Sequence, residues 1–169
     1  MENIVLTGFM GTGKTAIGRE LSNMLRWRLI DVDEEIVKTK KMSINEIFSR
    51  FGEPAFRDIE TATIREIASQ KHVIISTGGG AVLRRENMDI LKQNGVIVNL
   101  SATPDTIITR TSGNNERPLL QVENPSQRIK ELLEVRRSFY EKADIMIDTE
   151  SKTPHQIAEE ILESIGWKR

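Results

Sequence analysis

Short apolar runs alternate with helical stripes along this chain. The runs are Ile4-Val5-Leu6-Thr7, Arg28-Leu29-Ile30-Asp31, His72-Val73-Ile74-Ile75-Ser76, Val96-Ile97-Val98-Asn99-Leu100 and Ala143 to Thr149. Each has the length of a strand. The third is almost continuously apolar, which suits a strand buried on both faces. Between the runs the spacing is helical. Phe56, Ile59, Thr63 and Ile67 form one buried stripe, and Ile129, Leu132, Leu133, Phe139, Tyr140 and Ala143 form another.

Start and stop signals mark the helices. Ser43 and Glu46 make a capping box, and Gly52 ends that helix. Pro54 opens the next, which is expected to run to about Gln70. Thr103-Pro104, Asn124-Pro125 and Thr153-Pro154 each set a cap before a proline at the first helical position. Further helices are expected from Ala16 to Leu25, from Glu34 onward and from Arg85 to Gln93, with Asn94-Gly95 as a turn. Strands and helices alternate throughout, which predicts an α/β fold: a parallel sheet of five strands with helices on both faces.

Composition adds bounds. A chain of 169 residues suits one domain, spanning 1–169. A formal net charge of −1 gives no reason to expect nucleic acid or a membrane surface as partner. Cysteine is absent, which excludes disulfides and thiolate metal sites and fits a cytoplasmic protein. The first strand begins at Ile4, so no leader is expected. No apolar run approaches the roughly 20 residues of a spanning helix. With no evident apolar patch, a monomer is expected.

The candidate chemistry lies at the strand ends. Gly8-Phe9-Met10-Gly11-Thr12-Gly13-Lys14-Thr15 fits the phosphate-loop pattern G-x-x-x-x-G-K-[ST] between a strand and a helix. Backbone N–H groups there would face phosphates, Lys14 would reach the β- and γ-phosphates, and the Thr15 hydroxyl would ligate Mg²⁺. Asp31 and Asp33 end the second strand. If strand geometry persisted to Asp33, both would face one site; alternatively Asp33 caps the helix that follows. Gly78-Gly79-Gly80 gives bare backbone after the third strand. Arg57 opens a helix, where its charge opposes the dipole, so it is held by an acid such as Glu60 or awaits an anion. Arg136 falls on an apolar stripe and needs a partner, either a structural carboxylate or an anionic substrate. The irregular stretch from Thr111 to Glu123 suits a lid that carries Arg117, with Arg110 at its hinge. An arginine pair recognises carboxylate and an aspartate suits a hydroxyl. These groups together suggest an ATP-dependent kinase acting on a small hydroxy acid.

The phosphate loop, Asp31-x-Asp33, Phe56-Arg57 with Glu60, Gly78-Gly79-Gly80, Arg117-Pro118-Leu119 and Arg136-x-x-x-Tyr140 together resemble the shikimate kinase family in order and spacing. The resemblance covers nearly the whole chain. It implies the three-layer α/β/α fold of P-loop NTPases, with a helical substrate-binding region at about 33–60 and a lid at about 111–123. It implies transfer of the γ-phosphoryl of ATP to the 3-hydroxyl of shikimate, in the pathway to aromatic amino acids. ATP binding would fall to Gly11, Thr12, Gly13, Lys14, Thr15, Ala16, Arg110, Arg117, Lys152 and Pro154. Asp33, Arg57, Gly79, Gly80 and Arg136 would bind shikimate, and Lys14, Asp33 and Arg117 would be catalytic. One Mg²⁺ would be held by Thr15 and, through water, by Asp31. The alternatives are a related kinase for another hydroxy acid such as gluconate, and a nucleotide-binding module without catalysis.

Overall fold

The computed structural model describes residues 2–111 and 123–167. The strands are β1 (Asn3–Thr7), β2 (Arg28–Asp31), β3 (Val73–Ser76), β4 (Gly95–Ser101) and β5 (Ile145–Asp148). The helices are α1 (Lys14–Leu25), α2 (Val32–Lys40), α3 (Ile44–Ala68), α4 (Arg85–Asn94), α5 (Pro104–Thr111), α6 (Pro125–Tyr140) and α7 (Pro154–Ser164). A 3₁₀ turn at Ala81–Leu83 precedes α4.

All five strands are parallel, in the order β2-β3-β1-β4-β5. Alternation along each strand divides the apolar residues between two faces. Ile4 and Leu6 of β1, Ile74 of β3 and Val98 and Leu100 of β4 pack with Ile17 and Leu21 of α1 and Ile157 and Ile161 of α7. Val5, Ile75 and Ile97 point the other way, onto a second core with Ile36, Ile64, Leu91, Ile107 and Ile129 from α2 to α6. Covering both faces makes the three layers predicted from the alternation. It also leaves the carboxyl edge of the sheet open, where ligands of such folds bind.

Two local expectations change, and one holds. The α2 cap is Asp31, whose side chain accepts from the Asp33 and Glu34 N–H groups, so Asp33 is neither a cap nor a strand residue. The two helices expected on either side of Gly52 are present within α3 and meet at a kink there, with Gly52 at φ 83°. A positive φ and the missing N–H of Pro54 explain the kink. No turn separates α4 from β4: the strand begins at Gly95 itself. At the opposite edge of the sheet Trp167 packs edge-on against Trp27, with ring centroids 5.3 Å apart.

Candidate active site

β1 delivers the chain to the phosphate loop at the centre of the sheet. Gly8, Gly11 and Gly13 have φ of 138°, 78° and 96°, which explains glycine at these positions. Gly13 caps α1 without a side-chain hydrogen bond, and no acid lies in the first turn. The helix N-terminus thus presents N–H groups and a positive dipole end suited to an anion. Thr12 turns inward, its hydroxyl donating to the Phe9 carbonyl at 2.8 Å. The Lys14 ammonium folds onto the loop and donates to the carbonyls of Gly8 (2.7 Å) and Phe9 (2.9 Å).

A cavity of about 350 Å³ opens beside this loop, lined by Thr15, Ala16, Asp31, Asp33, Gly79 and Arg110 among others. Both aspartates reach it, though by different routes. Asp31 ends β2; its Oδ1 caps α2 and its Oδ2 accepts from Ser76 of the neighbouring strand at 3.0 Å. Asp33 sits in the first turn of α2, where a carboxylate complements the helix dipole. With both oxygens already bonded, Asp31 suits a water of a cation's shell better than the cation itself. The hydroxyl and carboxylate oxygens here are a hard donor set. Among the described residues no cluster of three acids or histidines could cage a metal. That combination fits Mg²⁺, which keeps its waters and binds largely through nucleotide phosphates.

Both arginines lie beside the glycine triplet. Arg57 donates from Nη1 to Glu60 and from Nη2 to Glu53, each at 3.0 Å. The acid expected from sequence, Glu60, thus holds Arg57 beside Gly80. Burial works against its charge, but the two glutamates outweigh it and raise the pKa. Glu60 is 0% exposed. Burial pushes its carboxyl up, Arg57 pulls it down, and Asp33 adds to the upward push. Arg136 differs. It is 5% exposed, its guanidinium lies 5.6 Å from the Phe9 ring centroid, and it has no ion pair with an acid among the described residues. Gly79 and Gly80 make room for these cations: a Cβ on Gly80 would stand 2.8 Å from the Arg57 Cζ, and one on Gly79 would stand 3.5 Å from an Arg136 nitrogen.

Glu60 should gain ionisation cost from its setting, with a definite sign. Its folded pKa is raised, so the stability it contributes is full below its unfolded value and is lost as pH rises through the folded value. Glu60→Gln mimics the neutral form. Its melting temperature relative to the unsubstituted protein should therefore climb as pH rises above the ordinary carboxylate range. A pH-independent difference would contradict this.

Arg110 joins the phosphate loop to β5, donating to the carbonyl of Gly11 at 3.3 Å and to the Thr149 hydroxyl at 3.2 Å. Lys152 bonds Glu160 at 2.7 Å; neither it nor Pro154 lines the cavity. Arg117 and most of the expected lid, residues 112–122, lie outside the described residues. Sequence reasoning did not count Phe9, Glu60 or Tyr140 as site residues. Glu60 had a visible signal, its i+3 spacing from Arg57. Tyr140 belongs to the apolar stripe and to the Arg136-x-x-x-Tyr140 motif, and its hydroxyl donates to the Gly79 carbonyl at 2.7 Å.

Residues 10–166 match the family model described as shikimate kinase. A shikimate kinase from Thermodesulfovibrio yellowstonii is 54% identical over 96% of this chain and 94% of its own length. The chain belongs to the shikimate kinase family. A solved shikimate kinase from Acinetobacter baumannii, in complex with shikimate, has a TM-score of 0.94 at 38% identity, covering 98% of this chain and 93% of that one. A gluconokinase from Sinorhizobium meliloti, at 20% identity and a TM-score of 0.62 over 98% of this chain and 91% of that one, shares the fold alone. The family's enzymes are kinases with a hydroxyl acceptor, and the five-stranded α/β fold expected from the sequence is the one found here.

Proposed function

We propose that this protein transfers the γ-phosphoryl group of ATP to the 3-hydroxyl of shikimate. The observation that supports it most is Arg136: a buried guanidinium with no acidic partner among the described residues, beside the phosphate loop. An isolated buried charge is costly, and an incoming carboxylate would offset that cost. Shikimate supplies a carboxylate for Arg136 and Arg57 and hydroxyls for Asp33. Gluconate is also a hydroxy acid, but its kinase relative is alike only in fold.

In this reading the 3-hydroxyl oxygen attacks the γ-phosphorus, its proton passes to the Asp33 carboxylate, and ADP leaves. Loop N–H groups at Gly11, Thr12, Gly13, Lys14, Thr15 and Ala16 hold the phosphates. Lys14 turns from its two carbonyls to the β- and γ-phosphates. Arg110, Lys152 and Pro154 flank the adenine, and Gly79 and Gly80 bring backbone against the shikimate ring. The substrate-binding region spans about 33–60. The Thr15 hydroxyl and, through water, Asp31 would hold Mg²⁺, which would neutralise charge on the phosphates when bound with ATP. Arg117 comes over the γ-phosphoryl as the lid at 111–123 closes. The protein acts as a cytoplasmic monomer; no helix among the described residues is long and apolar enough to cross a membrane.

The test is ADP release from ATP and Mg²⁺ with shikimate, gluconate or no acceptor. Shikimate-dependent release, with phosphate on the 3-hydroxyl, is expected. Release only with gluconate would overturn the roles of Arg57 and Arg136, and nucleotide binding without turnover would favour a regulatory module. Arg117→Ala is expected to lower kcat by about 10²-fold or more with little change in shikimate affinity, because Arg117 meets the transferring group. An unchanged kcat would remove Arg117 from the mechanism.

A further inference from the structure

Tyr140 ends α6 one helical turn after Arg136, and both face inward. The phenol is buried. It donates to the Gly79 carbonyl at 2.7 Å. Arg136 lies one turn earlier on the same helix face, with its guanidinium beside Gly79: a Cβ there would stand 3.5 Å from an Arg136 nitrogen.

The Gly79 carbonyl needs this donor for a local reason. After β3 the chain turns tightly, and that turn satisfies the carbonyls on either side: Ala81 N–H donates to Gly78 and Leu83 N–H donates to Gly80, both at 3.1 Å. The turn supplies no such donor to Gly79. Without the Tyr140 hydroxyl, a carbonyl facing the protein interior would lack this bond, at a cost of about 1–3 kcal/mol.

Gly79 also touches the nucleotide side. A Cβ built on it would lie 3.5 Å from the Gly8 carbonyl oxygen and 3.6 Å from the Met10 nitrogen, both in the phosphate loop. Arg136, Tyr140, Gly79 and the phosphate loop therefore lie next to one another in that order. They run from the candidate carboxylate site to the candidate ATP site.

We propose that Tyr140 is a positioning residue: its hydroxyl ties the end of α6 to Gly79, holds Arg136 one turn earlier against that turn, and so sets the acceptor hydroxyl at its distance from the γ-phosphate. This rests on the reading of Arg136 as the seat of the acceptor carboxylate. The hydroxyl takes no part in proton transfer; it orients one cation against one loop. Misplacement by about 1 Å can cost about 10²-fold in rate, so a single hydrogen bond suffices for the role.

The experiment compares kcat/KM for shikimate with that for its carboxamide, which lacks the charge Arg136 would read. Tyr140→Phe, which keeps the ring, is expected to lower the acid-to-amide ratio by about tenfold or more while ATP affinity, measured without acceptor, stays as in the unsubstituted protein. A merely structural role would lower both substrates alike and leave the ratio standing, and that result would overturn the proposal. Arg136→Ala separates the two levels. If it keeps the acid-to-amide ratio, the reading of Arg136 fails; if it loses the ratio and Tyr140→Phe keeps it, only the role of Tyr140 fails.

Discussion

Asp33→Asn is expected to lower kcat by about 10²- to 10⁴-fold, the usual worth of a positioned general base, with ATP affinity little changed. The substitution keeps shape and hydrogen-bonding capacity and removes the ability to take a proton. Asp33 stands in the cavity that the phosphate loop opens onto, in the first turn of a helix that Asp31 caps. Removing its charge does not disturb that cap. It also lowers the repulsion on the buried Glu60 carboxylate, one of the causes of the raised Glu60 pKa. That relief opposes the loss of a favourable charge at the α2 N-terminus, so stability should change little as activity falls. A kcat within about tenfold of the unsubstituted protein would show that the acceptor hydroxyl needs no base here.

Arg136→Ala should raise the shikimate dissociation constant by about 10²-fold or more, since bidentate charge-assisted pairs are the strong ones. ATP binding should be spared. Stability again gives an independent sign. Arg136 is buried at 5% exposure without an acidic partner among the described residues, so the ligand-free protein bears the cost of desolvating it. Truncation removes that charge but opens a cavity. The loss and the gain offset one another, and the melting temperature should change far less than for a buried ion-paired arginine. Arg57→Ala is the contrast, because it strands the fully buried Glu60. Calorimetry with each ligand separately, beside thermal melts, checks both parts. Equal loss of ATP and shikimate affinity in Arg136→Ala would count against a carboxylate site.

The sheet was legible because its signals are local. Five apolar runs, caps and prolines define the elements, and their alternation leaves little choice of architecture. The phosphate loop was legible for the same reason: its pattern and its strand–turn–helix setting lie within one stretch. The aspartates show where local reading fails. Residue spacing on a strand suggested a shared face for Asp31 and Asp33, but Asp31 starts a helix instead, and the two converge from different elements. The glycine triplet was read as bare backbone for a ligand. Its tightest demand is the space filled by the Arg57 guanidinium, which depends on α3 lying against the turn. Tyr140 and Gly79 are 61 positions apart, and no periodicity links them. Contacts of that kind are made by the fold and cannot be seen before it.

The sheet order has a consequence for synthesis. The strand that carries the phosphate loop is made before both of its neighbours, β3 and β4. Thr7 and Val98, bonded across β1 and β4, are 91 positions apart. At about 5–20 residues per second, β1 leaves the ribosome about 5–20 s before its second flank exists. During that interval a hydrophobic strand and an unformed nucleotide loop wait together, and ATP has nothing to bind. Nucleotide can stabilise this protein only after β4 has been made, so early survival of the nascent chain rests on its apolar segments and on whatever shields them.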